Sequence, residues 1–372
     1  MIIAIDTRFL GTGRHDAGRS FDVDHLLSFV KENDRHRFLF LSDKAFDAEM
    51  TFPKNVTALV TGPGIKNGLL MQYWFNYRLP PLLKKQKADV FVSLDGICSL
   101  RTEIPQCIVI PDTSFLQYPL YFRKANARYY KKNTAAFIAK AKAVATVSEF
   151  SRKVLVDHCK TDPSKIEVIH EGAAGMYVPL GQEEKENVRE AHADGKEYFL
   201  CSGNDNPRSN LVNLLKAFSF FKKRQKSSML LLVTGNPGED LMKRLKTYKY
   251  RDEVKVLQRL TGNELAGITA AACAVVHPVL YEDAALVPFR AMQCGVPLVC
   301  SAAGSLPEVC DDAALYANPD DFEDIAQMMM TVFKDEDKAR DMARTGMKRA
   351  GIFQNSKAGE LLGSLIKKAV NG

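Results

Sequence analysis

Short β-branched and aliphatic runs alternate with helical patterns along the whole chain, and no other feature limits its fold as tightly. The runs fall at 2–6, 37–41, 56–60, 90–93, 107–110, 143–147 and 166–169, then at 198–202, 229–234, 254–256, 274–278, 298–301 and 314–316. Helical patterns lie between them, among others at 211–225, 263–272 and 322–332. Strands separated by helices cannot be joined by hairpins, so the rhythm predicts an α/β fold of parallel sheets with helices on both faces. A stretch rich in Gly, Gln, Glu, Lys and Asp at 176–197 interrupts the rhythm and reads as a connection between two domains, 1–175 and 198–354. The segment 355–372, amphipathic over 358–370, is expected to complete the first domain. A cleft between two such domains is where a ligand would be expected.

Composition narrows the class further. A length of 372 residues suits two domains of ordinary size, and 46% hydrophobic with 26% charged residues is the balance of a soluble globular chain. No apolar run approaches the ~18 residues needed to span a bilayer. No signal peptide precedes the first strand, which makes the cytoplasm the expected location. The eight cysteines are scattered without a C-x-x-C pair. Neither a disulfide framework nor a metal site is expected, and no cofactor is implied. A net charge of +7 is too small to imply nucleic acid, though it permits contact with an anionic membrane surface.

The motif-bearing segment is Tyr281 to Pro297, YEDAALVPFRAMQCGVP, which follows a strand and opens a helix. A carboxylate there, Glu282, sits where open α/β sheets bind ligands, beyond the strand's C-terminal end. Other motifs precede it in order. They are Ile5-Asp6-Thr7-Arg8, a glycine-bearing loop from Gly11 to Arg19, Asp112 to Pro119, Tyr129-Tyr130-Lys131, Thr146 to Ser151, and Gly203 to Asn210. Gly304-Ser305-Leu306-Pro307-Glu308-Val309 follows. In order and spacing the set resembles glycosyltransferase family 4, retaining enzymes of the GT-B fold, over nearly the whole chain. The resemblance implies two Rossmann-like domains facing each other across a cleft. It also implies a nucleotide-sugar donor held mainly by the second domain without a bound metal, and a glycan or lipid-linked acceptor.

Carried over position by position, the resemblance is uneven. Glu282 matches the first carboxylate of the family's E-x7-E pattern, which implies contact with the donor sugar, but the second carboxylate is Arg290. A guanidinium has no acceptor for ribose hydroxyls. The family's Gly-Phe-Gly between them is Asp283-Ala284-Ala285, which narrows the approach and adds a charge unfavourable to phosphate. After Gly203, the family's phosphate-binding Arg and Lys positions hold Asn204 and Ser209, while Arg208 stands beside them. Asn210 and Ser209 also fit as caps for the helix from Leu211. In the first half the family's His-Asp is Pro111-Asp112, so an imidazole is missing while Asp112 is kept. The glycine loop reads His15-Asp16-Ala17-Gly18-Arg19. Candidate site residues are therefore Glu282 and Asp112 for catalysis, and Gly18, Gly203, Arg208, Asp283 and Arg290 for the donor. His170 and Arg19 face the expected cleft, whereas His277, inside an apolar strand, reads as a core residue.

The resemblance, weighed against these residues, implies one of two functions. One is hexosyl transfer in cell-surface glycan or polysaccharide assembly, with Arg208 and Arg290 taking over the diphosphate. The alternative is an inactive pseudo-glycosyltransferase that serves as structural or regulatory partner of an active enzyme, or binds another anionic ligand. Basic residues interleave with aromatics at 121–132, and Lys84-Lys85-Gln86-Lys87 forms a second patch. Such patches read either as solvated helix faces, the more common outcome, or as peripheral contact with the inner face of a membrane. No nucleic-acid-binding motif is present.

Overall fold

The computed structural model describes residues 1–12, 23–46, 50–121, 124–170, 172, 175–353 and 355–371; the side chains of 11, 12, 23–25, 121, 124–126 and 355–358 lie outside the description. Gly18 and Arg19, proposed from sequence as ligand-facing, fall outside it as well. The chain divides into two compact units, Met1–Glu171 with Asn355–Gly372, and Gly172–Gln354.

The first unit carries a seven-stranded sheet. Its strands are β1 (Ile2–Asp6), β2 (Arg37–Ser42), β3 (Val56–Val60), β4 (Val90–Ser93), β5 (Gln106–Ile110), β6 (Ala143–Thr146) and β7 (Ile166–Val168). The order is β3-β2-β1-β4-β5-β6-β7 and every pairing is parallel. The second unit holds β8 (Tyr198–Ser202), β9 (Leu230–Thr234), β10 (Val254–Leu257), β11 (Ala274–His277), β12 (Leu298–Ser301) and β13 (Ala314–Ala317). Their order is β10-β9-β8-β11-β12-β13, again parallel throughout. Both sheets are doubly wound, as the alternating pattern predicts.

Continuous apolar strands form these sheets because both faces are buried. Ala4, Leu39, Phe91 and Ile108 pack on one side of the first sheet, while Ile3, Ile5, Phe38 and Val92 pack on the other. The second face is completed by the chain's last helix, Asn355–Asn371, through Leu362, Leu365, Ile366 and Ala369. In the second unit Leu200, Leu232 and Val275 face one cluster, and Phe199, Val233 and Val276 the other. The polar stretch 176–197, read as a connection, carries the helix Gln182–Ala193, whose Val188 packs into the second unit's core. Ser148 caps the helix Glu149–Cys159 by accepting the Ser151 amide at 3.1 Å.

Each sheet reverses its winding once, between β1 and β4 in the first unit and between β8 and β11 in the second. Beyond the first reversal Arg8 closes the strand ends. Its Nε and Nη2 donate to the two Asp6 oxygens at 2.8 and 2.7 Å, and Nη2 reaches Asp95 at 3.4 Å. The guanidinium also lies 4.8 Å from the Phe75 ring centroid and 5.5 Å from that of Trp74. Burial alone would weaken proton binding by Arg8, but Asp6 outweighs it and holds the group charged. Removing one partner of such a buried pair strands the other charge. Arg8→Ala is expected to destabilise the protein by about 3–5 kcal/mol, whereas the joint change Asp6→Asn with Arg8→Met costs less. Denaturant unfolding followed by fluorescence of Trp74, buried in this unit, measures both.

Candidate functional site

At the second reversal the chain leaves β8 towards β9 on one side and later returns as β11 on the other. The loops that follow these two strands diverge, which opens a crevice at their C-terminal ends. Gly203 follows β8 and its amide donates to Thr234 at 2.9 Å. A Cβ at this position would meet the Leu211 side chain at 2.7 Å, so glycine lets the loop pack on the helix Leu211–Gln225. The next residues form a self-contained turn. Asn204 Oδ1 accepts from the Asn206 amide at 3.0 Å and from the Ser209 hydroxyl at 2.8 Å. Asn210 adopts a left-handed conformation with φ 55°, and its side chain does not cap the helix. Its amide nitrogen donates instead to the Pro278 and Pro319 carbonyls at 2.9 and 2.7 Å. The turn is thereby pinned to the loop after β11, whose Leu280 N also donates directly to Arg208 O at 2.9 Å.

That pinning brings Arg208 and Glu282 together. The Glu282 carboxylate, only 18% exposed, lies 3.1 Å from His277 Nε2. Its other oxygen accepts the amides of Asp283 at 3.2 Å and Ala284 at 3.4 Å. Burial alone would raise the Glu282 pKa. The hydrogen bond and electrostatic pull of His277, followed by Arg208 and the Ala284 amide, outweigh it and hold the pKa at about 2. The loop after β12 braces the same segment from behind, with Ser305 N donating to Glu282 O at 2.9 Å. Gly304, at φ +61°, packs so closely against the Glu282 carbonyl that any Cβ would collide with it.

The other expected residues are placed as follows. Asp283 is buried, and the Tyr281 hydroxyl donates to it at 3.4 Å. Arg290, on the helix Leu286–Gln293, lays its guanidinium 5.1 Å from the Tyr177 ring centroid. It lines a cavity of about 20 Å³, room for roughly one water molecule, with Ser202, Thr234, Thr269 and Val287. The charge of Arg208 thus acts on Glu282, and the guanidinium of Arg290 lies over Tyr177. Asp112 lies in the first unit, where its Oδ1 accepts the Ser114 amide at 2.8 Å and fixes the start of the helix Ser114–Gln117. His170, half-buried, follows β7 in the same unit. No cluster of three or more His, Cys, Asp or Glu suited to a metal is found among the described residues.

Sequence reasoning assigned His277 to the core. It is buried, yet its ring also contacts Glu282. The available signal was a single imidazole closing an apolar strand, one short turn before a carboxylate.

A model of the glycosyl transferases group 1 matches residues 182–349, and a model of glycosyltransferase family 4 matches residues 31–173. The chain belongs to glycosyltransferase family 4. Its two doubly wound units are the Rossmann-like domains of the GT-B fold. The chain is 29% identical over 246 residues to the O-antigen chain mannosyltransferase B of Escherichia coli, covering 65% of each chain. It is 27% identical over 232 residues to the O-antigen chain mannosyltransferase RfbU of Salmonella typhimurium, covering 60% of this chain and 61% of that one. It thus spans less than two thirds of the length of these curated relatives. Among solved structures, Anabaena HepE in complex with UDP-glucose superposes with a TM-score of 0.73 at 16% identity, covering 99% of both chains.

The depressed pKa of Glu282 has a definite sign in stability. A carboxylate held at about 2 when folded and about 4.5 when unfolded stabilises the protein above the unfolded value. That contribution is lost as pH falls through 4.5 towards 2. Glu282→Gln cannot show this dependence, so the stability gap between native protein and variant should shrink by about 2 kcal/mol between pH 6 and pH 3. Urea unfolding at fixed pH values is the measurement, and a gap independent of pH would show that Glu282 is not held in the charged form.

Proposed function

We propose that this protein transfers a hexose, specifically mannose, from a nucleotide sugar to a glycan acceptor during cell-surface polysaccharide assembly. The observation that carries the reading is the half-buried Glu282 carboxylate at the reversal point of the second sheet, held by His277 and the Asp283 and Ala284 amides, with the charge of Arg208 acting on it. The named similarities to O-antigen mannosyltransferases support the sugar, and the UDP-glucose complex of a protein with the same fold supports a nucleotide-linked donor. Glu282 presents fixed acceptors for sugar hydroxyls, and Arg208 supplies positive charge for the departing diphosphate. Asn204 and Ser209, bonded to each other where the family carries cations, leave Arg208 with most of that task. That same exchange favours a second reading, an inactive relative acting as partner of an active enzyme.

Calorimetric titration with GDP, GDP-mannose, UDP and UDP-glucose separates the two, together with a donor-turnover assay. GDP-mannose should bind and turn over. Arg208→Ala should weaken binding at least about tenfold, and Glu282→Gln should lower kcat by about 10²-fold while leaving binding nearly intact. Absence of binding by all four nucleotides would overturn the transferase reading in favour of the inactive partner.

Peripheral membrane contact forms part of the proposal. Among the described residues no helix is long and apolar enough to cross a membrane. The first unit exposes Leu69 together with Tyr73 and Tyr77, whose rings stack at 5.7 Å, and Arg101 lies 4.2 Å over the Tyr77 ring. Lys84, Lys85, Lys131 and Lys132 are exposed on the same unit. Aromatic and basic groups of this kind suit an anionic bilayer surface. The protein should co-sediment with vesicles containing phosphatidylglycerol at low salt, but not with pure phosphatidylcholine vesicles. The joint change Lys84→Glu and Lys85→Glu should reduce the bound fraction severalfold. Equal recovery with both vesicle types, or with neither, would refute this contact.

A further inference from the structure

We propose that His277 is a positioning residue for donor turnover, acting through Glu282 by fixing the direction in which its carboxylate faces. The inference rests on the donor-site reading given above. His277 is the last residue of β11, registered opposite Cys300 of β12 and followed at once by Pro278. Its backbone is therefore held by the ladder on one side and a restricted residue on the other. The ring is buried in a strand otherwise made of Ala274, Val275 and Val276, a costly place for an imidazole that makes no polar contact.

The contact it makes is specific. An ionised carboxylate only accepts hydrogen bonds, so the 3.1 Å approach of Nε2 to Glu282 Oε2 requires the proton on Nε2. Nδ1 is buried and meets no hydrogen-bond partner among the described residues. A proton there would be an unsatisfied buried donor, so Nε2 is the nitrogen whose hydrogen finds a partner. The titratable groups that hold Glu282 in its charged form are His277 from β11 and Arg208 from the turn after β8. Among the described residues the remaining support is two long backbone bonds, from Asp283 and Ala284, to the opposite oxygen. His277 therefore supplies the shortest of the hydrogen bonds to this carboxylate. Without it the carboxylate loses its shortest hydrogen bond and can swing about its terminal torsion, which is soft in glutamate. A carboxylate that must meet sugar hydroxyls in one orientation loses rate when its aim shifts by even about 1 Å.

The test compares His277→Phe, which keeps the ring volume without a donor, with His277→Gln, which restores an N–H at similar reach. With GDP-mannose as donor, His277→Phe should lower kcat by about 10- to 100-fold with KM within about threefold of the native value. His277→Gln should recover most of that loss, which a purely space-filling role would not allow. A second readout needs no turnover. In protein labelled with ¹⁵N-histidine, the His277 resonances, assigned by their loss in His277→Gln, should report hydrogen on Nε2. Glu282→Ala should abolish that tautomer bias. Unchanged kcat in a folded His277→Phe protein, or equal loss in the glutamine variant, would overturn the inference. So would a tautomer indifferent to Glu282→Ala. Failure of the native protein to bind or turn over any nucleotide sugar would instead overturn the donor-site reading, while the tautomer still decides whether His277 holds Glu282.

Discussion

Everything in this protein depends on covering both faces of a parallel sheet. Parallel strands cannot be joined by tight turns, so each must be followed by a crossover, and the crossovers must bury apolar surface on both sides. When the winding direction reverses, two neighbouring strands send their following loops apart. Polar residues can be placed there without opening the core, because backbone ends and loop dipoles already face outward. The protein uses this opportunity twice. At the first reversal it fills the position with Arg8 and Asp6, a buried pair that satisfies itself. At the second it places Glu282, held by one imidazole and two amides, in a loop whose backbone is fastened to Arg208 and Ser305.

The contrast between these reversals is chemical. In the Asp6–Arg8 pair, both carboxylate oxygens meet a guanidinium that also rests on two aromatic rings. That arrangement leaves little for a ligand to add. At Glu282 the supporting groups stabilise the charged form while part of the carboxylate stays accessible. Arg208 and Arg290 show the same principle from the cationic side. Both were candidates for anion binding, but Arg208 sits in a turn stitched to the Glu282 loop, whereas Arg290 is engaged by the buried Tyr177.

Much of the fold was legible because it rests on period and composition. The strand runs foreseen at 37–41, 143–147 and 298–301 differ from β2, β6 and β12 by at most one residue at an end. The helix Gln182–Ala193 was missed because acidic residues dominate it and a single small stripe around Val188 packs inward. Site geometry was less legible, for physical reasons. Glu282 and Arg208 could be nominated from their motifs, but their proximity follows from Asn210 bonding to Pro278 and Pro319, contacts between distant parts of the sequence. Asn210 itself was foreseen as a helix cap, and its left-handed backbone directs the side chain elsewhere. His277 was hidden by its own strand. Alternation says only that a residue is buried, and an imidazole can be buried while aimed at a charge.

The last helix has a consequence for how the molecule comes to exist. Leu362, Leu365, Ile366 and Ala369 complete a face of the sheet whose strands lie in the opening 170 or so residues. The second unit, by contrast, is one uninterrupted segment from Gly172 to Gln354. During synthesis, which proceeds from the N-terminus, the later-encoded unit has all its parts before the earlier one does. The first sheet must wait with one face partly bare until the closing helix emerges. The order of completion is thus the reverse of the order of translation, and the apolar face that waits is the one most open to capture by chaperones or by other chains.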